Sequence, residues 1–341
     1  MTALRPRIAI VNSNTFGAYS KVMERLSLVG EVSRLNVPRE IRGAELSSRL
    51  KGFQIIVAST NPRYDEEFFK ENRDVVLLAR NGIGLDNIDV KAATEQGVIV
   101  TRVPGIVERE AVAELALALM LDALRSVSAA YFAVRQGKWQ ERSRFIGYEL
   151  REKTVGIIGL GNIGRRVAEI LSAGFKAKIL AYDPYVKKED VSGIDITLTD
   201  LETLLRESDI VTLHAPLNEE TYHIIDRKAL SMMKKGTILV NTARGGLVDT
   251  AALVEALKNK HVRYAALDVV EGDYVDSNHP LLHMENVIIT PHIGAYTYES
   301  FTGIDECVAE TIEAVLKGER PKYVANPEVY LKGTRKLPSN I

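Results

Sequence analysis

Residues 155–164 read VGIIGLGNIG, an apolar run that breaks into Gly159, Gly161 and Gly164, and a second apolar run, KILAYD, ends on Asp183. This spacing restricts the segment to a strand, a tight turn and a helix. Gly159 permits the turn, Gly161 lets backbone approach a pyrophosphate, and Gly164 lets helix and strand pack closely, which puts a pyrophosphate on the helix N-terminus. Three glycines alone are a weak signal. Here they follow a strand pattern and precede IGRRVAEIL, where Ile163, Val167, Ile170 and Leu171 share one helical face, so the reading is a dinucleotide fingerprint rather than an ordinary glycine-rich turn. Asn162 and Ile163 lie on that first helical turn and complete the expected cofactor contacts. Asp183 closes the second strand, where a carboxylate accepts ribose hydroxyls and repels a 2′-phosphate, so the dinucleotide expected is NAD.

The chain has 341 residues, enough for about two domains, each with its own core. Lys and Arg number 44 against 45 Asp and Glu, with no basic stripe, so no nucleic-acid partner is expected. Cys307 is the only cysteine, which removes an intramolecular disulfide and fits a reducing, cytoplasmic setting. Its surroundings, GIDECVAETIEAVL, read as a helix in which the thiol is a small packed side chain. MTALRPRIAIVNSN lacks the long apolar stretch of a signal peptide, and the mature chain is expected to begin near Met1. AVAELALALMLDAL is interrupted by Glu114 and Asp122 and falls short of the roughly 20 residues a bilayer requires, so it reads as a buried core helix and no membrane partner is expected. No histidine or carboxylate spacing suggests a metal.

Strand-like runs alternate with helical patterns twice: RIAIVN, EVSRLN, QIIVA, DVVLLA and GVIVT over residues 7–101, then TVGIIG, KILAYD, DIVTLH, GTILVN, YAALDV and NVIIT over about 154–290. The expected class is α/β, with two doubly wound parallel-sheet lobes. A helix over about 298–316 carries an apolar stripe of Phe301, Ile304, Val308, Ile312 and Leu316 and is expected to return to the first lobe. The division expected is 1–102 plus 296–331, then 103–295, with an irregular tail over 332–341.

Arg244 in NTARGGLVD and His292 in PHIGA each follow a strand-like run of the second lobe, the position where open α/β sheets bind ligands. Alone, Arg244 reads as a salt-bridge residue and His292, after Pro291, as a turn histidine. Beside a nucleotide fingerprint they suit reduction of a 2-oxo acid. An arginine fork holds a carboxylate and polarises the neighbouring carbonyl, and a histidine protonates the oxygen as hydride reaches carbon.

Seven segments in order resemble the D-2-hydroxyacid dehydrogenases: ARNGIGLDNID, VPGIVEREAVAEL, VGIIGLGNIG, HAPLNEET, NTARGGLVD, ALDVVEGD and PHIGA. The resemblance covers nearly the whole chain. It implies a flavodoxin-like substrate lobe and a Rossmann NAD-binding lobe with the active site between them, and a homodimer through the NAD-binding lobes. It implies that Arg244 holds the 2-oxo acid, that His292 is the acid-base residue, and that a carboxylate orients the imidazole and favours its protonated form. The family's glutamate falls on Asp273, in register but shorter; Glu271 is close and out of register. It further implies cofactor contacts at His214, Pro216, Thr221, Thr242, Ala243, Arg244, His292 and Gly294, with Asp268 accepting from the nicotinamide carboxamide or, in the plainer reading, capping a turn. ARNGIGLDNID matches the loop that receives the substrate carboxylate on the amides of Ile83 and Gly84; Arg80 and Asn81 are candidates for the substrate's tail, an exposed loop arginine being the alternative for Arg80. Phosphoglycerate enzymes present an arginine near the end of the third strand, where Ala58 stands here, so a phosphorylated substrate is disfavoured unless Arg63 compensates. Trp139 matches a family position and is expected to pack. A rival class is a corepressor-like module that senses NAD(H) and binds proteins on the same fold.

Overall fold

The computed structural model describes residues 5–337. These form two compact units: one comprises the residues up to Glu108 together with those from Tyr296 onward, and the other is Arg109–Ala295.

The first unit holds a five-stranded sheet of β1 (Arg7–Val11), β2 (Glu31–Leu35), β3 (Ile55–Ala58), β4 (Leu77–Arg80) and β5 (Ile99–Thr101) in the order β2-β1-β3-β4-β5. Every pairing is parallel, and this order is that of flavodoxin-like sheets. β3, β4 and β5 are buried along their whole length, which is why they read as continuous apolar runs: helices cover both faces of a parallel sheet. Here the helices are α1 (Val22–Val29), α2 (Gly43–Arg49), α3 (Glu66–Glu71) and α4 (Val90–Glu95).

The second unit begins with α5 (Arg109–Arg125) and α6 (Val127–Arg135). Its sheet contains β6 (Thr154–Ile158), β7 (Lys178–Tyr182), β8 (Thr197–Leu198), β9 (Ile210–Leu213), β10 (Thr237–Asn241), β11 (Val262–Leu267) and β12 (Val287–Ile289). The order is β12-β11-β10-β9-β6-β7-β8, again parallel throughout. Helices α7 (Asn162–Phe175), α8 (Leu201–Glu207), α9 (Arg227–Met232) and α10 (Thr250–Lys258) complete it. Aspartates 200, 226 and 249 each cap the helix that follows by accepting a backbone N–H, which satisfies a donor with no partner inside the helix. The apolar stretch of α5 is core: Ala113, Ala116, Met120 and Leu124 pack with Val155, Ile157 and Val240. Among the described residues no single helix is long and apolar enough to cross a membrane.

α11 (Tyr298–Leu316) and α12 (Val329–Lys332) belong to the first unit. Ile304, Val308 and Ile312 are buried against Ile8, Ile10 and Ile55, with Phe301 and Leu316 at the margin, so the stripe faces the sheet. Val103 is buried in the same core, which keeps the segment after β5 with this unit. α12 ends at Lys332, where the expected irregular tail begins, and within that tail Arg335 donates to the carbonyls of Gln96 (2.7 Å) and Asn72 (2.7 Å); residues 338–341 lie outside the described residues. Cys307 is half-buried, and burial pushes its thiol up to about 11, the behaviour of a packed side chain. Trp139 departs from expectation: it is 64% exposed, beside an α6 that exposes Val127, Tyr131, Phe132 and Val134.

Candidate active site

Because the strands of the second unit are parallel, their carboxyl ends share one edge, and the order reverses between β6 and β9. That switch point is where doubly wound sheets bind nucleotides. The glycine turn lies there. A Cβ on Gly159 would sit 2.6 Å from the Ala215 nitrogen, and one on Gly164 would sit 2.0 Å from the Gly159 carbonyl oxygen, so both positions are closed by backbone. A Cβ on Gly161 would meet no atom within 4 Å. The open ground at Gly161, at the N-terminus of α7, suits an anion on the helix amides. His214 Nδ1 and Thr242 Oγ1 are buried there without a hydrogen-bond partner among the described residues, as side chains awaiting a ligand are. Burial pushes the His214 imidazole down to about 4, and its Nε2 lies 3.0 Å from Thr212 Oγ1. Asp183 accepts from the amides of Leu160 (2.8 Å) and Tyr185 (3.0 Å), one on each oxygen. Each oxygen keeps acceptor capacity for a ribose hydroxyl. These residues fit a dinucleotide. Thr221 and Pro216 belong to one loop, in which the threonine hydroxyl donates to the Pro216 carbonyl at 2.7 Å.

Beyond β11 and β12 the loops are tied by Asp268, which is 1% exposed. Its carboxylate accepts from Thr290 Oγ1 (2.6 Å), Ile293 N (2.8 Å) and Gly294 N (2.8 Å), and its carbonyl accepts from His292 N (2.9 Å). Asp268 therefore anchors the turn that carries His292. With about four acceptor positions on a carboxylate, one remains for a further donor. Asp273 Oδ1 lies 2.8 Å from His292 Nδ1, so the in-register residue meets the histidine. Glu271 turns elsewhere, to His223 Nε2 at 2.7 Å. Burial opposes ionisation of Glu271, but the hydrogen bond and charge of His223 and the donors of Thr250 outweigh it and hold the carboxyl below its ordinary range.

Arg244 opens the turn after β10, fixed by Asn241, whose side-chain amide donates to the Arg244 carbonyl (2.8 Å) and whose Oδ1 accepts from Ala243 N (3.0 Å). The turn lies on the backbone of the next loop: a Cβ on Gly245 would fall 1.9 Å from the Val270 carbonyl oxygen. His223 was not singled out by sequence, and Glu271 only as the out-of-register alternative to Asp273; tertiary structure alone reveals that the two pair.

In the first unit, the loop after β4 is built around Arg80. Expected as a candidate for the substrate's tail, or else as an exposed arginine, it is 5% exposed. Its guanidinium donates to Gly84 O (2.9 Å), Ala58 O (3.3 Å) and Asn81 O. A Cβ on Gly82, at φ +143°, would fall 2.9 Å from Arg80 Nη1, so that glycine makes room for the arginine. Asn81 donates to Ser13 Oγ at 3.2 Å, and its Oδ1 is buried without a partner among the described residues. Ile83 and Gly84 are partly exposed on the same loop, Ala58 is buried at the end of β3, and Arg63 is exposed.

Residues 117–294 match the family described as D-isomer specific 2-hydroxyacid dehydrogenase, NAD binding domain. The D-3-phosphoglycerate dehydrogenase of Methanocaldococcus jannaschii is 40% identical over 304 residues, 89% of this chain and 57% of that protein. The glyoxylate reductase of Pyrococcus horikoshii is 40% identical over 299 residues, 86% of this chain and 87% of that protein. Among solved structures, D-lactate dehydrogenase from Aquifex aeolicus, complexed with NAD and lactic acid, is 29% identical at a TM-score of 0.81, over 97% of this chain and 100% of that one. The chain belongs to the D-isomer specific 2-hydroxyacid dehydrogenase family, and its cofactor is NAD. It spans about half the length of the phosphoglycerate dehydrogenases it matches.

Proposed function

We propose that this chain is an NAD-dependent oxidoreductase that interconverts a small 2-oxo acid and its D-2-hydroxy acid. The observation that carries this reading is the 2.8 Å His292–Asp273 contact at the same sheet edge as the glycine turn. With Nδ1 directed at Asp273, His292 presents Nε2 to the substrate and donates its proton to the carbonyl oxygen in reduction; in oxidation the neutral ring takes the proton back. Asp273 holds the ring orientation and favours the imidazolium. Arg244 binds the carboxylate and stabilises charge on the carbonyl oxygen. Reduced NAD, when bound, supplies the hydride to carbon 2. Asp268 holds the His292 turn and offers its remaining acceptor position to the carboxamide. In the first unit Ile83 and Gly84 offer loop amides suited to a carboxylate and Asn81 offers a polar side chain, while Arg80 holds the loop's shape.

A substrate without phosphate is favoured by Ala58 at the end of β3, and by the glyoxylate reductase relatives that match along most of their length. The apolar side chains exposed on α6, with Trp139 and Ile146 beyond it, support a homodimer through the NAD-binding units. The test is loss of reduced-nicotinamide absorbance with glyoxylate, hydroxypyruvate, pyruvate, phenylpyruvate, 2-ketogluconate and phosphohydroxypyruvate. One strongly preferred unphosphorylated acid is expected. No turnover with any of them, alongside NADH binding, would instead favour a sensing module.

A further inference from the structure

Between the turn that carries Arg244 and the turn that carries Asp273 sits a second histidine–carboxylate pair. His223 Nε2 is 2.7 Å from Glu271 Oε1, and the Tyr222 hydroxyl donates to the same oxygen at 3.3 Å. The Tyr222 and His223 rings stack with centroids 4.0 Å apart. The His223 amide donates to Gly246 O at 2.8 Å. One short segment thus grips the turn after β10 by its backbone and the turn after β11 by its side chains.

The second turn requires a grip. Asp273 is one methylene shorter than the glutamate expected at its position, yet it reaches His292. It does so from a left-handed conformation at both Gly272 (φ +78°) and Asp273 (φ +51°), closed by Asp273 N donating to Val270 O at 2.9 Å. Glycine adopts that conformation freely, but an aspartate does so only when its surroundings hold it there.

We propose that His223 and Glu271 are positioning residues, which hold the 271–273 turn in the conformation from which the shorter Asp273 carboxylate reaches His292. The proposal rests on the reading of Asp273 and His292 as the acid-base pair. Glu271 faces His223 and Tyr222, with Thr250 as a further donor and Asp249 near Tyr222; Asp273 faces His292, and Arg244 is on the adjoining turn.

The decisive variant is His223→Asn, since asparagine tolerates the positive φ of this site and is too short to span to Glu271. It leaves the Glu271 charge in place without its partner. Through-space electrostatics alone would then move protonation of His292 to higher pH, whereas loss of positioning moves it to lower pH. The imidazole of His292 is followed by carbon-13 NMR titration in apoprotein, alongside the pH profile of 2-oxo acid reduction and NADH affinity by fluorescence. We expect the His292 midpoint to fall by about one pH unit and turnover at pH 7.5 to fall about tenfold, with NADH affinity unchanged. Adding Asp273→Glu to this variant is expected to restore both. His223→Gly, which adopts the same positive φ and keeps the Glu271 charge in place, provides a second variant if His223→Asn folds poorly. A midpoint that stays or rises in the folded variant overturns the proposal. Absence of wild-type turnover overturns the reading of the reaction instead, and the NMR titration still decides the positioning role.

Discussion

His292 is held by two aspartates from one loop: its ring Nδ1 lies 2.8 Å from Asp273 Oδ1, and its amide donates 2.9 Å to the carbonyl of Asp268. One contact orients the imidazole and the other fixes its backbone. Asp273→Asn keeps the shape and removes the charge that favours the imidazolium. Reduction needs protonated His292, so its loss of rate with rising pH is expected to begin at lower pH than in wild type, while oxidation gains on the acid side. Steady-state pH profiles in both directions check this; an unmoved profile would separate Asp273 from the acid-base step.

Arg244 occupies a turn whose backbone is fixed by Asn241 on both sides. Arg244→Ala is expected to lower turnover about 10²–10³-fold, as removal of an oxyanion-stabilising group does. Arg244→Lys is expected to recover little, because a point charge does not reproduce a bidentate fork. Wild-type kinetics in Arg244→Ala would remove this residue from the mechanism.

Two glycines of the fingerprint are expected to respond differently to the same methyl group. Gly164→Ala places Cβ 2.0 Å from the Gly159 carbonyl oxygen and is expected to destabilise the protein by about 1–3 kcal/mol. Gly161→Ala meets open space on the protein side and is expected to leave the unfolding midpoint unchanged while weakening NADH binding. Thermal unfolding and NADH fluorescence titration on both variants distinguish packing from cofactor approach.

Asp183 accepts two backbone amides just after β7, where a ribose is expected. Asp183→Ser removes the charge that repels a 2′-phosphate, and the ratio of NADPH to NADH catalytic efficiency is expected to rise about tenfold or more. The unpaired Leu160 and Tyr185 amides are expected to cost about 1 kcal/mol each. An unchanged ratio in the folded variant would place cofactor selection elsewhere.

The buried His214 ring gains its proton only near pH 4, against about 6.5 in an unfolded chain. The unfolded state therefore binds more protons through that window, and stability is lost as pH falls from about 6.5 to about 4. His214→Gln is expected to flatten this part of the curve. Urea midpoints of the two proteins between pH 7 and 4 decide the matter.

The glycine turn, the two series of parallel strands and the stripe of α11 were legible because each depends on neighbours close in sequence. Apolar runs buried on both faces make strands, a period of 3.6 makes a helix, and glycine spacing makes the turn. The choice of Asp273 over Glu271 came from register alone, and the contact with His292 follows that register. Other side chains were not legible. Arg80 looked available on an exposed loop and is folded beneath it; Trp139 looked like core and is exposed; β8 has only two residues and no pattern of its own.

The sequence by itself determined the α/β class and the nucleotide fingerprint, and it offered Arg244, His292 and either Asp273 or Glu271 as candidates for the chemistry. Tertiary structure alone decided where each polar side chain spends its hydrogen bonds: Arg80 on its own loop, Asp268 on the His292 turn, Glu271 on His223. The physical reason is range. Propensity and periodicity act over a few residues, whereas a buried polar group must find a partner wherever the fold brings one within about 3 Å.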